Sequence, residues 1–141
     1  MKRFVFNMEK ILQLRKFREE ERKLELGQAI SVLNAIENKM KETAVKRHTA
    51  AVERFNNPQD MASWDLYILR LEQEAEKLAE DAAQAEIAVE EKRTLYLEAS
   101  KDLNAMEKLK EKQQKEYRKE MFKTQMNEID DITAARLIRS G

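Results

Sequence analysis

The residue types from which active sites are built are few in this chain, and their spacing suits no reaction. His48 is the only histidine, and there is no cysteine. That excludes a Cys–His nucleophile pair and a thiolate metal site. A Ser–His–acid arrangement would need a pocket around it. His48 sits instead in the charged run Lys46-Arg47-His48 and reads as a surface residue. Glu128, Asp130 and Asp131 are the one acidic group that could meet a divalent cation. Three carboxylates on a helical tail read more simply as a solvated face. No Gly-rich phosphate loop occurs, since the chain has only 2 glycines. The expectation is a protein that is not an enzyme and needs no cofactor.

The elements that would have to position such groups are long helices. From Trp64 to Met106 an apolar residue recurs at alternating steps of three and four. Ile68, Ala75, Ala82, Val89, Tyr96 and Leu103 hold one core position; Trp64, Leu71, Leu78, Ala85, Ala99 and Met106 hold the other, and Lys92 is the one break. This spacing gathers the side chains into one narrow stripe, which another helix must cover. Charged residues are 38% and aromatics 6% of the chain, the balance of a coiled coil rather than of a thick globular core. The net charge is zero, which argues against a general nucleic-acid binder. No stretch approaches the ~18 apolar residues of a membrane span, and the apolar N-terminal stretch is too short for a signal peptide. A cytoplasmic protein without membrane insertion is expected.

Before the stripe, Asn7 reads as a helix cap, with Phe6 stapled to Ile11. The apolar pattern then runs Met8, Ile11, Leu14, Phe17, Leu24, Leu26, Ala29, Leu33, Ile36, Met40, Ala44, Ala51 and Phe55. Glu19 to Lys23 interrupts it, and looser packing is expected there. Asn56-Asn57-Pro58-Gln59-Asp60 is the one credible turn: Pro58 fits the first position of a new helix, Asn57 its cap, and Asp60 its first turn. One turn makes an all-α fold, a long antiparallel two-helix coiled-coil hairpin over residues 1–141. Its parts are helix 1 at about 7–56, a turn at about 56–62, helix 2 at about 60–126 and a tail at 127–141. Facing residues would sum to about 117, and the longer second helix would outrun the first. Lys2, Arg3, Lys10, Arg15, Lys16 and Arg18, with Lys108 to Lys123, make the chain-terminal end basic, whereas Glu72 to Glu91 is acidic. The plain reading is a solvated surface of i,i+4 pairs; the functional one is steering toward an acidic partner.

The two ends of the chain resemble the flagellar export protein FliJ family. Phe4-Val5-Phe6-Asn7-Met8-Glu9-Lys10-Ile11-Leu12-Gln13-Leu14-Arg15 is similar to that family's opening. Tyr117-Arg118-Lys119-Glu120, Gln125, Glu128-Ile129-Asp130-Asp131-Ile132 and Arg136 are similar to its closing stretch, with Ile129 and Asp131 as mild departures. The resemblance implies a non-enzymatic component of the flagellar type III export apparatus, like the stalk of a rotary ATPase. It implies contact with the hexameric export ATPase (FliI), its regulator (FliH), the cytoplasmic domain of the export gate (FlhA) and export chaperones. A place at the inner face of the cell membrane at the flagellar base follows. A generic coiled-coil adaptor, or the stalk of a virulence-type secretion system, are the alternatives. The chain alone is expected to be a monomer.

Two surfaces are candidates for contact. At the ATPase-ring end, Tyr117, Met121, Phe122, Met126, Ile129 and Ile132 are expected to lack intramolecular cover, which marks an interaction site; fraying beyond Gln125 is the plainer reading. Arg15, Arg118 and Gln125 join them. At the gate end, Phe55, Trp64, Tyr67 and Leu71 cluster near the turn, where aromatic anchors suit binding. Ordinary seam packing is the plainer reading for Trp64 and Leu71, and Tyr67, off the seam, is the better contact.

Overall fold

A computed structural model describes residues 3–140. Helix α1 spans Glu9–Asn56, a single 3₁₀ turn occupies Pro58–Asp60, and α2 spans Met61–Ser140. The two helices pack antiparallel, and no strand occurs among the described residues. Helix α2 has 80 residues against 48 in α1, so part of it has no counterpart to cover it. It continues to Ser140 instead of ending near residue 126. Nothing between Pro58 and Ser140 breaks a helix, since neither Gly nor Pro occurs there. Ser140 Oγ closes the last turn by donating to the Arg136 carbonyl at 2.7 Å. Although each helix is continuous, the contacts divide into two units: Glu19–Glu98, and Met1–Arg18 with Ala99–Gly141.

In the unit Glu19–Glu98, every expected seam position of α2 from Trp64 to Tyr96 is buried or half-buried. Leu71, Leu78, Ala82, Ala85 and Val89 are the innermost. On α1 the seam keeps strict heptad spacing through Leu26, Ala29, Leu33, Ile36 and Met40, then through Thr43, Ala50 and Arg54. The expected Ala44, Ala51 and Phe55 are exposed, one residue out of phase. Phase decides this, because only the heptad continuation of Leu26 to Met40 keeps facing α2, and the Arg54 stem covers the seam while its guanidinium reaches across it. Arg54 donates to Asp65, and Arg47 to Glu72 at 3.0 Å. Lys92, the break in the α2 stripe, is met just past the Glu19–Lys23 interruption of α1: its Nζ lies 3.7 Å from Glu25, which also accepts from Arg22 at 3.0 Å. Glu25 and Lys92 also sum to the expected 117.

The turn uses Asn57 differently from expectation. Its side chain makes no bond to the helix that follows. Its Nδ2 donates back to the Glu53 carbonyl at 3.0 Å and to the Glu53 carboxylate at 3.1 Å, satisfying groups at the end of α1. Pro58 opens the 3₁₀ turn, where its missing N–H costs nothing.

In the other unit, Phe6, Leu12 and Met106 form a core, with Phe4, Leu103 and Leu109 packed on it. Leu12 is 1% exposed, whereas Ile11, Leu14 and Phe17 are 45%, 56% and 65% exposed. The α1 seam in this unit is therefore Leu12 and Arg15, the backward continuation of the heptad, and not the Met8–Ile11–Leu14–Phe17 series. Steps of three alone drift around a helix; only alternating three and four holds a stripe. Helix α1 begins at Glu9, so Phe6 packs with Leu12 rather than stapling to Ile11.

Candidate partner-binding surfaces

At the chain-terminal end, the basic residues are partly engaged within the protein. Arg15 is half-buried and donates to the Asp102 carbonyl at 2.9 Å. Lys110 Nζ lies 2.9 Å from Glu9, which also accepts from Gln13 at 3.0 Å. The hydrogen bond from Lys110, then that from Gln13, hold the Glu9 carboxyl below its ordinary value. Arg118, Lys119 and Lys123 are exposed. Lys2, also expected in this basic group, lies outside the described residues.

The six apolar residues expected to lack cover divide into two sets. Tyr117 is half-buried, with its ring centroid 5.4 Å from that of Phe4, so it is covered. Met121 is also half-buried. Phe122, Met126, Ile129 and Ile132 are exposed at 65%, 42%, 54% and 55%, as expected; Gln125 is exposed beside them. Sequence reasoning missed the role of Phe4. Its alternation with Phe6 before the helix was the available signal, because an extended segment turns alternate side chains to one face.

Near the turn, Leu71 is 4% exposed. It belongs to the seam and cannot reach a partner without opening the helices. Trp64 is half-buried and stacks edge-on against Tyr67 with centroids 6.1 Å apart. Tyr67 is partly open, and Phe55 is 84% exposed. Trp64 and Tyr67 also line a cleft of about 460 Å³ with Val45, Lys46, Thr49 and Ala50. The α1 side of this cleft was not legible, because it depends on which α1 residues face α2 across the seam.

No group of three or more His, Cys, Asp or Glu among the described residues is placed to hold a metal ion. Asp130 and Asp131 are neighbours on a helix and point about 100° apart. No described helix is long and apolar enough to cross a membrane.

The class of protein these features define is a paired helical hairpin that leaves apolar side chains and charges on its outside. The sequence model of a family described as "Flagellar FliJ protein" matches residues 4–141. The chain belongs to that family. It is a component of the flagellar protein export apparatus, in a family that is structural and not enzymatic. No curated protein and no solved structure shows a match to the chain.

Proposed function

We propose that the chain is the central stalk of the hexameric export ATPase (FliI), promoting its assembly and activity and linking it to the cytoplasmic domain of the export gate (FlhA). The observation that carries this reading is the uncovered helix beyond Met121. Phe122, Met126 and Ile129 are open to solvent there, next to the exposed Arg118, Lys119 and Lys123. Apolar side chains aligned along one helix and edged by cations suit a partner that is apolar with an acidic rim. The turn-proximal cleft with Trp64 and Tyr67, together with the exposed Phe55, is the gate-side contact. The ATPase regulator (FliH) and export chaperones are further partners, and the working location is the cytoplasmic face of the membrane at the flagellar base.

Measuring ATP hydrolysis and ring assembly of the purified export ATPase tests this reading. The full chain is expected to raise both. A chain truncated after residue 115, and the triple variant Phe122→Ala/Met126→Ala/Ile129→Ala, are expected to raise neither. Equal stimulation by the truncated chain would overturn the reading.

A further inference from the structure

The apolar residues beyond Met121 do not extend the hairpin seam. At about 100° per residue, the nine steps from Tyr117 to Met126 end on the opposite side of α2. Phe122, Met126, Ile129 and Thr133 follow one another at steps of four, three and four. They form a second, short heptad stripe on the side of α2 that the hairpin leaves open. All four residues are exposed.

The edges of this stripe say what covers it. Lys123 and Asp130 lie seven residues apart along one edge; Gln125 and Ile132 lie seven apart along the other. When two identical helices pair antiparallel, like edges face each other. Setting Met126 against Ile129 of a second copy brings Phe122 against Thr133, Gln125 against Ile132 and Lys123 against Asp130. The two-fold axis makes each contact twice, including two reciprocal ion pairs. A parallel pairing would instead forgo both ion pairs, setting Lys123 against Arg118 and Asp130 against the uncharged Gln125. In the antiparallel pairing, Arg118 meets Arg139 at each end, which confines the contact to about residues 122–133.

We infer that this stripe is a self-complementary surface that pairs with the same stripe of a second copy, antiparallel, to form a weak dimer. The contact spans only about three helical turns per copy, so the dissociation constant is on the order of 0.1 mM. At lower concentrations the chain is a monomer, as its hairpin seam is already satisfied internally. The pairing uses the stripe assigned above to the ATPase, but it does not rest on that assignment. Its test involves the chain alone, so either reading can fail without the other.

Sedimentation equilibrium of the full chain up to about 1 mM is expected to show a monomer–dimer equilibrium that weakens as salt is added. Lys123→Asp is expected to weaken pairing about tenfold or more, and Lys123→Asp with Asp130→Lys to restore it to within about threefold. Met126→Glu is expected to abolish it, with unchanged circular dichroism showing that the hairpin remains folded. The chain has no cysteine, so a spin label at Glu111→Cys reports orientation directly. Two labels are expected about 50 Å apart in the antiparallel dimer, and under about 20 Å in a parallel one. A monomer at 1 mM would overturn the inference. So would a dimer indifferent to Met126→Glu, a charge swap that fails to restore pairing, or the short distance.

Discussion

Leu12 and Leu14 are two residues apart, chemically identical, and opposite in environment. Leu12 is 1% exposed in the Phe6–Met106 core, and Leu14 is 56% exposed. Leu12→Ala removes buried methyl and methylene groups and leaves a cavity, so it is expected to cost about 2–4 kcal/mol in urea unfolding. Leu14→Ala is expected to change stability by less than about 0.5 kcal/mol. Gly27 offers the opposite sign. It lies within α1, its φ is not positive, and an added Cβ would meet nothing within 4 Å. Gly27→Ala is expected to stabilise the protein by about 0.5–1 kcal/mol, read from the same urea transition.

At the scale of elements, the end of α1 and the end of α2 are secured differently. Asn57 ties the last turn of α1 through two bonds to Glu53. Asn57→Ala is expected to cost about 1 kcal/mol by thermal unfolding, even though Pro58 still imposes the turn. Helix α2 beyond Met121 has only the Ser140–Arg136 bond in its last turn. Every described residue from Phe122 onward is exposed, and a lone helix of this length is marginal in water. Hydrogen exchange at dilute concentration is expected to show little protection for amides 122–140, against strong protection around Leu12, Leu71 and Leu78. Strong protection of the tail in a dilute monomer would mean that something other than the heptad seam holds it.

For the whole molecule, acid removes part of what pairs the helices. Glu9 is held below its ordinary value of 4.5 chiefly by the hydrogen bond from Lys110. Glu25 is held below it chiefly by that from Arg22, with Lys92 adding to it. Both values are lowered on folding, so the stabilisation is complete above about pH 4.5 and is lost as pH falls through the lower folded-state values. The melting temperature is expected to be flat from pH 7 to 5 and to fall below 4. The double variant Glu9→Gln/Glu25→Gln is expected to fall less over the same range. The positions of these pairs show how far the sequence reaches. The α2 stripe from Trp64 to Met106, the single turn at Pro58, the antiparallel arrangement and a register within two residues were all legible, because heptad spacing and a lone helix breaker are local properties of the chain. The seam of α1 was legible only from Leu26 to Met40. Leu12, Arg15, Thr43 and Arg54 were chosen over the more apolar Ile11, Leu14, Ala44 and Phe55 by what faces them on α2. Likewise, the distinction between a covered Tyr117 and an open Phe122 exists only once Phe4 is brought against the far end of the chain. A helix's own periodicity is written in consecutive residues, whereas the face it buries is decided by the helix that packs on it.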